Sequence, residues 1–458
     1  MTRAALANSE PLFVGIDLGT SGCRAIAIDA GGRVHGEARV NLAPPQRVDT
    51  DAGAGTGVEQ DPALWWKAVV QVSHRLGERV PREAVTAIAV DGTSGTLLLA
   101  DTDLRPLGPA LMYNDGRTVA QARRIAEQAP AASAAHGTSG ALAKLLWLLA
   151  GPRASRARYA LHQADWIAAR MIGRGGVSDA NNCLKLGWDP VTERWPEWLT
   201  QLGTDGALLP RVVAPGSRLG RLCPAAAAAL GLSESVRVVA GTTDSTAAFV
   251  ATGARVPGEA VTSLGSTLVL KVIAERPVFA PDYGVYSQPL PAAGPDSHAR
   301  QTRLWLVGGG SNSGGAVLRR YFDDARLAEL SAGLDPQTPT GLDYYPLPGP
   351  GERFPISDPT LAPRLSPRPA DDRRFLQGLL EGIARIEHAG YRRLAELGAP
   401  YPSSVRSVGG GAANAAWTAI RARLLAVPMP AVVHGEAAYG SALLARAGAA
   451  APIEADET

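Results

Sequence analysis

The chain has 458 residues, is 46% apolar, and carries 45 basic against 43 acidic side chains, a net charge of +2. At about 100–200 residues per domain there is room for two or three domains with ordinary cores, and so even a charge balance leaves no basic stripe for nucleic acid. Three scattered cysteines, Cys23, Cys183 and Cys223, form no CxxC pair and no disulfide framework, so a reducing cytoplasm is expected; no apolar signal core or run of about 18 apolar residues suggests export or a membrane span.

The first recognisable elements are two strands, 13–16 and 24–29, around a turn at 17–22, in the stretch FVGIDLGTSGCRAIAID. A second turn at Gly31-Gly32 leads to a third strand, 33–40, with no helix between. A Gly-, Pro- and Asp-rich loop covers 43–57. Helical spacing follows over 61–76, with Pro62 in the first turn, where a missing N–H costs least. An apolar strand at 84–90 runs into DGTSGT at 91–96, and 96–100 resumes as a strand. Helical stretches are expected around 118–129, 141–149 and 163–171, and the alanine run 225–229 suits a plain helix. A short strand at 236–240 ends in GTTD, and a helix is expected at 245–252.

After 253–258 the order restarts: a strand at 259–263, the turn LGST, and a strand at 268–273. Two similar α/β halves are therefore expected, 11–252 and 253–448. A proline-rich stretch, 336–369, reads as a surface excursion. The stretch 375–397 has the rhythm of a long amphipathic helix. A strand at 405–408 runs into GGGAAN at 409–414, and a helix follows at 415–425.

Several turns carry side chains with chemistry. Asp17, Gly19 and Thr20 close a strand with small residues whose N–H groups can cradle phosphate oxygens, and an aspartate there can hold Mg²⁺. Ser21 adds a hydroxyl and Arg24 a charge. The same residues also suit an ordinary hairpin turn. Gly265, Ser266 and Thr267 form a second turn of this kind. Asp244, between a strand and a helix, could serve as a general base toward a hydroxyl or simply cap the helix. The glycines of 409–414, including Gly410 and Gly411, would let a backbone lie flat against a nucleotide. The glycine-rich 308–315, with Gly309 and Gly310, could do likewise, with Ser311 and Asn312 as contacts. Ser94, Asn114 and Asp115, in polar clusters at strand ends, suit the hydroxyls of a polyol. His136, His162, His298 and His388 have no metal-ligand spacing, so no zinc site is expected. Trp65, Trp66 and Trp195 fit packing better than carbohydrate platforms.

Taken together, these motifs resemble the FGGY family of carbohydrate kinases. The resemblance runs through IDLGTSGCRA, EQDPALWW, DGTSGT, MYNDGR, HQADWIAARMIG, SDANNCLKLGWD, AGTTDSTAA, VTSLGST, VGGGAANAAW and EAAYGSALLA, from about Pro11 to Ala447. It implies an α/β fold of two actin-like, ribonuclease-H-like ATPase lobes with ATP and sugar in a cleft. It implies that Asp17, Gly19, Thr20 and Ser21 form the first phosphate loop, with Asp17 near Mg²⁺, and that Gly265, Ser266 and Thr267 form the second. It gives Gly410, Gly411 and Asn414 to the adenosine motif, with Trp417 flanking the adenine. Asp244 matches the family's catalytic base, and Ser94 and Asp115 lie where members touch the sugar. Xylulokinases typically carry Gly-Gln-Met-His-Gly, and glycerol kinases Asn-Gln-Arg, where this chain has 91–96. DGTSGT with MYND instead resembles the compact D-ribulose kinases of cyanobacterial and plant type. The expectation is phosphorylation of D-ribulose at its 5-hydroxyl, with D-xylulose or another ketose or polyol as the alternative and a non-catalytic nucleotide- and sugar-binding member as the third. The expected partners are small molecules, with no nucleic acid and no membrane, for a monomer or homodimer.

Overall fold

The computed structural model describes residues 10–50, 55–204, 206–292 and 303–450. Two units emerge. The first comprises the described residues of Met1–Ala251, Pro291–Gln301 and Glu436–Thr458, and the second those of Thr252–Leu290 and Thr302–Gly435.

The first unit is built on a six-stranded sheet. Its order is Arg218–Arg221, Arg237–Val239, Val85–Gly92, Leu12–Leu18, Gly22–Ile28, Val34–Asn41. The strand Leu12–Leu18 pairs antiparallel with Gly22–Ile28 and parallel with Val85–Gly92. Alternation of side chains sends Val14, Ile16 and Leu18 into a core with Trp65, Val69 and Val72 of the helix Pro62–Leu76. Phe13, Ile26 and Ile28 point the other way, into a core with Ala438, Ala442 and Leu443 of the helix Ala437–Ala450. That last helix lies directly on the sheet: a Cβ on Gly15 would sit 1.9 Å from the Ala438 carbonyl oxygen, and one on Gly440 1.9 Å from that of Ala247. A smaller five-stranded sheet, including Gly57–Gln60, Leu97–Ala100 and Tyr159–His162, packs with the helix Ala141–Leu149 around Leu97, Leu99, Leu142 and Leu145.

The second unit repeats the strand plan. Glu259–Leu264 pairs antiparallel with Leu268–Ala274 and parallel with Ser404–Val408, and Leu268–Ala274 pairs antiparallel with Trp305–Ser311. The 25-residue helix Asp372–Glu396 supplies Phe375, Leu376, Leu379, Leu380 and Ile383 to the core of this unit. Asp371 starts it, accepting a hydrogen bond from the Arg373 N–H.

Most expected elements lie within two residues of their observed ends, with three differences. The helix Ala437–Ala450 packs with the first compact unit, although in sequence it falls within the expected second half, 253–448; its small residues fit the backbone of Leu12–Leu18. The stretch 336–369 is no surface excursion, since Leu342, Tyr344, Leu347 and Phe354 are buried in the second core. Prolines deny it a strand ladder, yet the apolar side chains between them still bury. Third, Gly309 and Gly310 of the expected nucleotide stretch 308–315 lie within the strand Trp305–Ser311. Part of the expected loop 43–57 and His298 lie outside the described residues. No helix among the described residues is long and apolar enough to cross a membrane.

Candidate functional site

Register places the carboxylates. Asp17 and Asp91 are direct partners in the parallel pairing of Leu12–Leu18 with Val85–Gly92, so their side chains leave the sheet on one face, side by side. Asp244 is brought in by glycine. A Cβ on Gly241 would lie 1.8 Å from the Val90 carbonyl oxygen, so only glycine lets the 241–244 turn press against that strand end. Thr243 then bridges to Gly92, and Asp244 opens the helix Asp244–Ala251. Its Oδ1 accepts from the Ser245 N–H at 2.7 Å.

The three acids act on one another. Burial raises the Asp17 carboxyl above its ordinary range; a hydrogen bond from Asp91 opposes the rise, and the Asp244 charge adds to it. Asp91 is fully buried and pushed up well beyond the usual carboxylate range, by burial first and by the Asp17 charge second. Ser441 Oγ donates to Asp91 Oδ2 at 2.6 Å, while Oδ1 meets no donor among the described groups. Asp91, the more deeply buried of the two neighbouring carboxyls, is raised further. Asp17 and Asp244 are half-buried, and their oxygens are of the kind that suits a hard cation such as Mg²⁺. Arg24, opposite Asp17 in the antiparallel pair, is engaged by Glu436.

The turn after Asp17 is closed by the Gly19 N–H on the Gly22 carbonyl oxygen at 3.0 Å, and its outer side chains, Thr20 and Ser21, stay accessible. In the second unit Gly265, Ser266 and Thr267 form a turn braced from behind by Gly315 N–H on the Gly265 carbonyl and Ala316 N–H on the Ser266 carbonyl. Glycines in these loops separate into two kinds. Nothing in the fold requires glycine at Gly19, Gly265 or Gly410: none has positive φ, and an added Cβ would meet nothing nearer than 3.5 Å. Each leaves room for a ligand to approach the backbone, which is the fit expected of phosphate and nucleotide. Gly309 and Gly411 are fixed by packing, since a Cβ would lie 2.8 Å from the Phe354 ring and 2.4 Å from the Trp417 ring. Gly310 is overlaid by Arg353, which donates to its carbonyl oxygen.

Other expected contacts turn out to be engaged within the fold. Trp417 is 2% exposed, so its ring props Gly411 from beneath instead of lying open to a base. Asn414 caps the helix Ala415–Leu425 through Oδ1 and donates through Nδ2 to Ser331. Asp115 is wholly buried and held by the Val58 N–H at 2.6 Å and by Arg117 Nη2 at 2.7 Å. Asn114 is exposed, and Ser94 is half-buried at the tip of the 91–96 turn. Trp65 is a core residue whose Nε1 donates to Gln60, Arg170 stacks on Trp66, and Trp195 packs edge-on against Trp188.

The sequence reading passed over Asp91 and two lysines. Asp91 ends an apolar strand before a glycine, as Asp17 ends one before Leu-Gly, and that repeat was the available signal. Lys144 sits in an apolar helix (ALAKLLWLL) and donates from Nζ to the carbonyls of Gly95 at 2.7 Å and Ser139 at 2.8 Å. Burial pulls its amine down to about 7, with the Lys185 charge second. The stem of Lys185 crosses the same turn, 3.5 Å from where a Gly95 Cβ would stand.

Comparison with known proteins agrees with this arrangement. The chain matches the FGGY family of carbohydrate kinases, N-terminal domain over residues 12–251 and C-terminal domain over residues 260–449. A xylulose kinase of Streptomyces coelicolor is 34% identical over 278 residues, 58% of this chain and 55% of that protein, so the match spans just over half of that relative. A xylulose kinase of Bacillus subtilis is 26% identical over 465 residues, 95% of this chain and 88% of that protein. A solved structure named a xyloylose kinase, from Brucella ovis, superposes with a TM-score of 0.82 at 27% identity, covering 96% of this chain and 90% of the other. A repeated strand plan, acids gathered at strand ends and unfilled glycine turns therefore fall together in one lineage, and the chain belongs to the FGGY family of carbohydrate kinases.

Proposed function

We propose that the chain transfers the γ-phosphoryl group of ATP to the terminal hydroxyl of a 2-ketopentose. The observation that carries this reading is the trio Asp17, Asp91 and Asp244 brought together by strand register and the 241–244 turn, beside a turn whose Gly19 has no packing reason to be glycine. Asp244 takes the proton of the acceptor hydroxyl. Asp91 stands in register beside Asp17, and Asp17 is the residue that would hold Mg²⁺, whose charge would offset that building on the phosphate oxygens. The turns at Gly19, Gly265 and Gly410 offer N–H groups to phosphate and nucleotide. Arg24, tied to Glu436, steadies the turn strand.

For the sugar, the names of the relatives favour D-xylulose. D-ribulose is a second reading, favoured by DGTSGT at 91–96 in place of the Gly-Gln-Met-His-Gly typical of xylulokinases. The test is ADP release with Mg-ATP against D-xylulose, D-ribulose, L-xylulose, L-ribulose, ribitol and glycerol. The reading expects one ketopentose to lead the non-ketoses by about tenfold or more in kcat/KM. Glycerol or ribitol in the lead would contradict the ketopentose assignment, and no turnover of any substrate would contradict the kinase assignment.

A further inference from the structure

Lys185 stands on the short turn Leu184–Leu186, wedged by two buried leucines and ended by Gly187 at φ +103°. Just before it, Asp179 caps the helix Ala180–Cys183 by accepting from the Asn181 and Asn182 N–H groups, so the base of the lysine is rigidly placed. Its stem lies over Gly95, one residue from Ser94. Burial lowers its amine from the ordinary lysine range, the Asp244 charge opposes that fall, and its own charge in turn depresses Lys144. Lys144 spends its Nζ on two carbonyls, whereas the Lys185 ammonium makes no hydrogen bond or ion pair among the described residues. A half-buried cation beside the general base and without a protein partner is poised for a ligand atom.

The chemistry of that atom follows from the donor. An ammonium only donates, so it selects an oxygen that only accepts, a carbonyl or carboxylate, over a hydroxyl that can turn either way. In the furanose form of a 2-ketopentose, O5 is the ring oxygen. Phosphorylation on O5 therefore uses the open chain, with its C2 ketone exposed. We propose that Lys185 is a specificity residue whose ammonium donates to the C2 carbonyl oxygen of an open-chain ketopentose, so that the site discriminates ketoses from the polyols made by reducing them. The inference rests on the kinase reading above and names what that site recognises.

The test compares wild type, Lys185→Met and Lys185→Arg with D-ribulose against ribitol, D-xylulose against xylitol, and D-gluconate. Wild type should favour a ketose over its polyol by about tenfold or more in kcat/KM. Lys185→Met should raise the ketose KM and shrink that ratio by about fivefold or more, and Lys185→Arg should keep part of it. A purely structural lysine would lower both substrates in proportion, and an unchanged ratio in a folded Lys185→Met protein overturns the proposal. Preference for D-gluconate, lost in Lys185→Met, would also overturn it, assigning the ammonium to a carboxylate. If wild type phosphorylates nothing, the kinase reading falls and this one with it; if it phosphorylates sugars but the ratio stays fixed, only this one falls.

Discussion

Asp91 and Lys144 are two buried titratable groups whose neutral forms burial favours first. At Asp91 the Asp17 charge adds to that effect. Asp91 stands in register with Asp17, so Asp91→Ala should lose about tenfold or more in kcat as Asp17 loses the side chain packed beside it, whereas Asp91→Asn, which keeps the shape, should lose less. Lys144 has its amine near 7 through burial, and an uncharged amine has two N–H groups for its two carbonyl partners. Its unfolded value is about 10.4. Between these values the unfolded chain binds a proton that the folded chain does not. Stability should therefore rise with pH across that window, by at most about 1.4 kcal/mol per pH unit, and level off below about 7, where both states hold the proton. Urea midpoints at pH 7, 8 and 9 should show this slope in wild type and not in Lys144→Met, which should also be less stable by about 1–3 kcal/mol because two carbonyls lose their donor. At this scale the sequence pointed to Asp17, at the end of an apolar run, and to Asp244, between a strand and a helix, and the fold brings both to one place. The sequence did not disclose the engagement of Asp115 or Asn414, whose partners Val58 and Ser331 are 57 and 83 positions away.

Elements explain which glycines serve packing. Phe354, from the proline-rich stretch, lies against Gly309, Gly390 and Leu270. Gly309→Ala should cost about 1–3 kcal/mol by overpacking, and Phe354→Leu in the same chain should recover part of that, read by denaturant unfolding. A full loss of ATP affinity in Gly309→Ala without loss of stability would instead return Gly309 to a nucleotide contact. The strands and the long helix were legible because periodicity survives in their own residues. The stretch 336–369 was not, since its burial depends on pockets in the helix Asp372–Glu396: Gly378 faces Leu342 and Tyr344, and Gly382 faces Pro346 and Tyr344. The engagement of Gly309 and Gly310 was hidden for a related reason, since Phe354 and Arg353, which cover them, come from that same stretch.

At the level of the whole molecule, the restart of the strand–turn–strand pattern at Glu259 foretold two α/β units, and both carry it. Return of the last helix to the first unit was hidden, because only the close approach of Gly15 and Gly440 to helical backbone reveals it. Its removal would bare Phe13, Ile26, Ile28 and Val239, so a chain ended at residue 435 should be insoluble, while the fragment 252–435, which holds its own core, should unfold cooperatively in urea. A soluble, cooperatively folding 1–435 chain would contradict this assignment. The central claim is that Asp244 deprotonates a sugar hydroxyl in a phosphoryl transfer supported by Asp17. Its most direct test is sugar-dependent ADP release by Asp244→Asn beside ATP binding to the same protein. The account predicts a fall in kcat of about a hundredfold or more with ATP affinity unchanged. Sugar phosphorylation near the wild-type rate would contradict it.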